Sequence, residues 1–188
     1  NKTYTGQEIV DAKIANVKEP MEAYANVKFG QREGPGGTTN AGDWCMMRAE
    51  EMILISAEAT AKAGNLGAGK QILTDFIKTY RDPSYVSNAG SVEDFENEVW
   101  LQRRIELWGE GFAMSDVMRL GKNVVRFRPG VPTNVPETYR FNIEYGNPWM
   151  LLRFVQSETT NNPAVINNEG GTQPKQDDGA GLIDGVTD

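Results

Sequence analysis

The stretch 46–63 constrains the fold more than any other part of this chain. Bulky Met46, Met47, Met52, Ile53, Leu54 and Ile55 are followed by small Ala57, Ala59, Ala61 and Ala63. Ala49, Ile53, Ala57 and Ala61 recur at four-residue steps, which stacks them along one helix face, and Met52, Ile55, Ala59 and Ala63 make a second stripe beside it. Small side chains let a second helix come close. Gly64-Asn65 then tolerate the left-handed backbone that stops a helix. The pattern predicts a helix over 44–63 and a partner helix after the turn, with Leu66, Leu73, Phe76, Ile77 and Tyr80 on one face. So short a connection makes the pair an antiparallel αα-hairpin.

A third helix is expected from Ser91, which can cap free backbone N–H groups while Glu93 and Asp94 complement the positive helix end. Its apolar face reads as Phe95, Val99, Ile105 and Trp108. Gly109 and Gly111 interrupt it, and a shorter helix, 112–120, ends at Gly121. Beyond Lys122 prolines break the chain repeatedly, yet Tyr139, Phe141, Tyr145, Trp149, Met150 and Phe154 are too apolar to remain in water. An irregular segment wrapped over the helices is expected there, followed from about residue 170 by a mobile acidic tail. Residues 1–43 read as a polar arm with a short helix around Ile9, Val10 and Ile14, an extended patch over 24–29 and a glycine-rich loop over 34–42. The expected organisation is therefore 1–43 arm, 44–122 two helical hairpins, and 123–188 irregular segment.

Composition excludes much chemistry. The 188 residues contain no histidine and one cysteine, Cys45. Serine–histidine triads, thiolate–imidazole dyads, histidine-bearing zinc sites and an intrachain disulfide are all ruled out. A net charge of −7 argues against nucleic acid as a partner. No apolar run approaches the roughly 18 residues of a membrane-spanning helix. A chain beginning at Asn1 is read as a mature or truncated product.

Three motifs need weighing. Gly64-Asn65-Leu66-Gly67-Ala68-Gly69-Lys70-Gln71 nearly matches a phosphate-binding loop, but Gln71 stands where Ser or Thr must hold Mg²⁺, and a helix rather than a strand precedes it. Glu106 and Glu110, four apart on an expected helix, could act as the acid and base of a glycoside hydrolase, whose carboxylates lie about 5–10 Å apart. The competing reading makes these glutamates, with Glu50, Glu51 and Glu58, partners of Arg48, Arg103 and Arg104 in ion pairs between helices. Asp177, Asp178 and Asp184 make a loose acidic cluster without the spacing of a calcium loop. Trp100, Trp108 and Phe112 read as core. No cofactor and no metal are expected.

Four segments in order resemble the C-terminal part of the SusD/RagB family of surface nutrient-binding lipoproteins. They are Met47-Arg48-Ala49-Glu50-Glu51-Met52-Ile53-Leu54-Ile55-Ser56-Ala57-Glu58-Ala59 with Gly64-Asn65; Val99-Trp100-Leu101-Gln102-Arg103-Arg104-Ile105-Glu106-Leu107-Trp108-Gly109-Glu110-Gly111-Phe112; Asp116-Val117-Met118-Arg119-Leu120; and Leu152-Arg153-Phe154-Val155-Gln156-Ser157-Glu158 with Asn162-Pro163. The resemblance implies an all-α fold of tetratricopeptide-like hairpins with a long loop-rich C-terminal segment. It also implies non-catalytic capture of glycans or similar nutrients at the bacterial outer membrane, for delivery to a SusC-like TonB-dependent transporter. Family members are far longer and carry a lipid-bearing N-terminal cysteine, so this chain resembles a fragment that lacks the lipid anchor and packs on the N-terminal part of the same protein. Tyr139, Tyr145 and Trp149, aromatic residues in irregular chain, are the candidate ligand contacts, since a flat ring can stack on a sugar; docking on the rest of the protein is the alternative. A protein-binding helical module and a hydrolase using Glu106 or Glu110 stand as rival functions.

Overall fold

The computed structural model describes residues 3–4, 25–26, 28–29, 42 and 46–186. The expected helix around Ile9, the loop over 34–41 and the positions of Trp44 and Cys45 lie outside these residues. The chain divides into two compact units, Asn1–Met52 and Ile53–Asp188. In the first, a short strand β1 (Thr3–Tyr4) pairs antiparallel with β2 (Ala25–Asn26), within the patch expected to be extended.

The body is helical, as the patterning predicts. Helix α1 spans Ala49–Lys62, α2 Leu66–Tyr80, α3 Val92–Glu106 and α4 Ala113–Leu120, with a short α5, Gln156–Asn161, in the irregular segment. Local chemistry fixes most of the ends. The Asn65 side chain accepts from the Ala68 N–H at 3.1 Å and the Ser91 side chain from the Asp94 N–H at 3.0 Å, which caps α2 and α3. Gly121, at φ 65°, closes α4 in the left-handed region open to glycine. Met46, Met47 and Arg48 are not helical, so α1 begins five residues later than the periodicity suggests.

Leu54, Ala57 and Ala61 of α1 pack with Leu73, Phe76 and Ile77 of α2 and Phe95 and Val99 of α3 in the main core. The buried face of α1 is rotated from the expected stripe: Ala49 is exposed, and Leu54 takes its place. The parallel stripe of Met52, Ile55, Ala59 and Ala63 is exposed. Gly69 shows why the small residues matter, because a Cβ built there would lie 2.8 Å from the Ala57 carbonyl oxygen and 2.9 Å from the Ala61 Cβ. Only a glycine permits that approach. The loop between α2 and α3 is tied down by Glu98, which accepts from the Tyr85 hydroxyl and the Ser87 hydroxyl, each at 2.5 Å. Burial, then this carboxylate, pushes the Tyr85 phenol up from its ordinary value.

Helix α3 stops at Glu106, earlier than the expected face requires. Ile105, still within the helix, and Trp108, beyond it, are 54% and 53% exposed, while Trp100 and Leu107 fill the interior instead. Trp100 lies between cations, with the Arg104 guanidinium carbon 5.0 Å and the Lys122 Nζ 5.6 Å from its ring centre.

Past Lys122 the chain builds a second, smaller core. Phe141, Ile143 and Met150 pack with Val117 and Met118 of α4, Val124 and Trp149. A single bridge joins Val124 to Ile143, with both backbone hydrogen bonds made. Residues beyond 170 take part as well: Asp177 N–H donates to the Arg140 carbonyl at 2.7 Å, Asn142 N–H to the Asp178 carbonyl at 2.9 Å, and Asp184 is buried. Among the described residues no helix is long and apolar enough to cross a membrane.

Candidate functional site

Of the two glutamates singled out as possible acid–base groups, Glu106 is engaged by an arginine. Glu106, buried, accepts from Arg81 Nε at 2.7 Å and Nη2 at 2.8 Å, a fork-to-carboxylate pairing that holds the end of α2 to the end of α3. Glu58 of α1 accepts from Arg119 Nη1 at 2.5 Å and Nη2 at 2.8 Å, joining α1 to α4. Asp116 accepts from both Arg119 Nε and Arg103 Nε, each at 2.8 Å. Burial raises the Glu58 carboxyl, but the hydrogen bonds and charges of Arg119 and Lys62 together outweigh it and hold the group below its ordinary range. Arg119 is held above its own by Glu58, against burial, with Asp116 adding to the rise.

These pairs correct two expectations. Glu110 lies beyond the end of α3, so it does not share a helix face with Glu106. The partners also differ: Arg103 takes Asp116, and Arg104 takes Asp184 at 3.7 Å, while Arg81 and Arg119 hold the glutamates. Arg48 keeps a neighbouring glutamate, Glu50, at 3.4 Å. The near-phosphate loop is a helical turn in which Lys70 Nζ donates to the Ala89 carbonyl at 2.7 Å. The acidic cluster does not converge. Asp178 accepts from the Lys175 N–H and Asp184 from the Val186 N–H. Among the described residues no three His, Cys, Asp or Glu side chains could hold a metal ion.

Among the described residues the roomiest hollow lies in the irregular segment, ahead of one of about 340 Å³ beside Ile55, Glu58 and Arg119 of the helices. A cavity of about 570 Å³ is lined by the turn 127–133 on one side and by Arg140, Asp177 and Ala180 on the other. Such a volume falls within the range of small-molecule clefts. One buried side chain holds both walls. Asn142 Oδ1 accepts from the N–H groups of Arg126 at 2.7 Å and Phe127 at 3.2 Å, and its Nδ2 donates to the carbonyls of Phe127 and Gly179, each at 3.0 Å. Arg140 is braced in turn, Nε donating to the Val135 carbonyl at 3.0 Å. Asp177 stands at φ 66°, a left-handed conformation that Asp tolerates better than most residues. The cleft therefore offers guanidinium donors and a carboxylate acceptor on a braced frame.

The three aromatic candidates do not gather in it. Tyr139, 54% exposed, sits on a single 3₁₀ turn, Glu137–Tyr139, immediately before Arg140. Tyr145 is half-exposed and lies over Gly121, its ring carbons 3.7–3.8 Å from where a Cβ would be. Trp149 meets Phe141 edge to face at 5.7 Å and belongs half to the second core. Arg140 and Asn142 carry no periodicity or motif that would have singled them out, and Asp177 stood out only as part of a loose acidic cluster.

A family model described as the SusD family matches residues 4–177. A solved SusD-like carbohydrate binding protein from Bacteroides vulgatus is 28% identical and superposes with a TM-score of 0.61 over 79% of this chain and 34% of its own. A second solved structure from that organism, of a protein assigned to sugar binding, is 24% identical with a TM-score of 0.62 over 87% of this chain and 36% of its own, and shows the fold alone. The chain spans about a third of the length of both. No curated protein matches it. With the helical fold and the match over 4–177 in agreement, the chain belongs to the SusD family.

Proposed function

We propose that this chain is the C-terminal part of a non-catalytic, glycan-binding protein of the bacterial cell surface, with its sugar contacts in the cleft of the irregular segment. In this reading, residues 44–122 are scaffold and 123–188 carry the contacts. The observation that carries it is that Arg140 and Asp177 both line one braced cleft of about 570 Å³. A sugar ring presents adjacent hydroxyls that both donate and accept, and a guanidinium beside a carboxylate answers both. Tyr139, next to Arg140 in the chain, is the ring proposed to stack on a sugar at the edge of the cleft, while Tyr145 and Trp149, on the same segment, do not line it. The glutamates of the helices act as struts, since their oxygens are held by Arg81 and Arg119. Delivery to a SusC-like TonB-dependent transporter, and a lipid anchor on the whole protein, follow from membership of the family and belong to this proposal.

Isothermal titration against a panel of polysaccharides tests it. Binding to at least one glycan, lost in Asp177→Ala with the thermal midpoint retained, is the expected result. Silence across the panel would remove the reading. It would favour instead a helical module that docks protein, to which the exposed Ile105 and Trp108 point.

A further inference from the structure

Residues of α1, α3 and α4 enclose a hollow of about 340 Å³, lined by Ile55, Glu58, Ala59, Lys62, Arg103 and Arg119. It shares no lining residue with the cleft of the irregular segment. Arg103 is 4% exposed and spends Nε on Asp116, yet its Nη1 is buried with no hydrogen-bond partner among the described residues. A buried guanidinium N–H left unmet costs free energy that an acceptor entering beside it would recover. The charges around the hollow are matched in number. Lys62 pairs with Glu58 and Glu96, Arg119 with Glu58 and Asp116, and Arg103 with Asp116. Three cations against three carboxylates leave no excess to draw an anion, so the acceptor that fits is a neutral oxygen.

The other walls say what that oxygen is attached to. Ile55 and Ala59, exposed on α1, offer apolar surface to a methyl group. Glu58 Oε1 takes Arg119 Nη1 and Lys62, whereas Oε2 takes Arg119 Nη2 alone among the described residues, which leaves a lone pair for one N–H donor. A carbonyl acceptor, a small apolar group and an N–H joined within a few atoms describe a secondary amide, and the acetamido group is its smallest common form. A hydroxyl would meet Arg103 but leave Ile55 and Ala59 uncovered. The volume lies at the lower end of small-molecule clefts, which suits one sugar ring.

Resting on the glycan-binding reading above but not on its cleft, we propose that this hollow is a second sugar site, selective for an acetamido sugar. Arg103 donates to the acetamido carbonyl, Glu58 accepts from its N–H, and its methyl packs on Ile55 and Ala59. Titration of the chain with chitotriose and cellotriose tests this, because the two trisaccharides share linkage and neutrality and differ in acetamido against hydroxyl. Chitotriose is expected to bind about tenfold tighter, in Asp177→Ala as in the parent chain. Ala59→Leu fills the hollow from an exposed helix position and should abolish the preference with the thermal midpoint retained, while Ala59→Ser keeps it. Arg103→Lys leaves a cation for Asp116 but removes Nη1, and should abolish the preference too; if that variant unfolds, the Ala59 pair still decides. Equal binding of the two sugars, a preference that survives Ala59→Leu, or one lost in Asp177→Ala overturns the hollow as the site. An N-acetylated dipeptide that binds as tightly as chitotriose overturns the sugar as the source of the amide. Silence to both trisaccharides also overturns the inference, whereas binding of any other glycan in the panel above keeps the glycan-binding reading standing.

Discussion

Substituting Gly69 by alanine sets two effects of known sign against each other. A glycine inside a helix costs up to about 1 kcal/mol relative to alanine, so propensity alone makes Gly69→Ala stabilising. The new methyl would stand 2.8 Å from the Ala57 carbonyl oxygen, 2.9 Å from the Ala61 Cβ and 3.1 Å from the Ala61 backbone nitrogen. Two of those three atoms are backbone, so no rotamer change relieves the clash and α1 must move away from α2. Forcing an extra methyl into a close-packed contact costs about 1–3 kcal/mol. The net is a loss of about 1 kcal/mol.

Gly67, two residues earlier on α2, provides the control. A Cβ built there meets nothing within 4 Å, so Gly67→Ala should gain about 0.5–1 kcal/mol. The separation between the two variants, about 2 kcal/mol, measures the helix–helix approach with propensity largely cancelled. Urea denaturation followed by circular dichroism reads it as opposite shifts of the midpoint at unchanged slope. In thermal melts each kcal/mol corresponds to about 2–4 °C for a domain of this size. If Gly69→Ala proves as stable as Gly67→Ala, the small-residue seam between α1 and α2 is not a close contact, and the reading of the 46–63 pattern fails.

Three further outcomes are expected. Because the folded Glu58 carboxyl titrates below the 4.5 of an ordinary glutamate, its contribution is complete above that value and fades as pH falls through the depressed one; denaturation at a series of pH values should show the deficit of Glu58→Gln, about 1–3 kcal/mol at neutrality after screening of the half-exposed Arg119, shrinking in acid. Ser91→Ala removes the cap on the Asp94 N–H and should cost about 1 kcal/mol in the same assay, with Ser91→Gly costing only a few tenths. Asn142→Leu keeps a similar volume but leaves the N–H groups of Arg126 and Phe127 and the carbonyls of Phe127 and Gly179 without their partner; a loss of about 2–3 kcal/mol and of glycan binding is expected, whereas binding at parental strength would show that Asn142 does not hold the cleft.

What could be read in the chain and what could not divide along physical lines. Helix ends were legible where a few neighbouring atoms decide them, as at Asn65, Ser91 and Gly121, since a cap is a contact between residues two or three apart. The end of α3 was not. Gly109 and Gly111 are the visible breakers, but Glu106 is already the last helical residue and Leu107 the cap, its N–H still closing on the Arg103 carbonyl at 2.8 Å, so Trp108 lies beyond the helix whose face the periodicity gave it. Ion pairing was legible as a class and illegible in its partners. Arg103 and Arg104 are adjacent, so helical geometry sends them about 100° apart, and which distant carboxylate each meets is a property of the packed helices.

The cleft lies wholly on the illegible side. Its walls are irregular backbone, whose polar groups must find partners without a ladder, and here one amide closes them across intervals of 15 and 37 residues. Asn142 sits between Phe141 and Ile143, two buried apolar residues, and nothing in that tripeptide says that the asparagine is buried as well. Aromatic residues in the same segment drew attention because rings are conspicuous in irregular chain, and Trp149 was conspicuous for a reason that is half structural: its edge completes the second core. A search for sugar contacts in such segments gains more from asking which buried polar side chain closes the backbone, and what guanidinium or carboxylate is left unpaired beside it. By that criterion Arg140 and Asp177 come before the rings, with Tyr139 following because it adjoins Arg140.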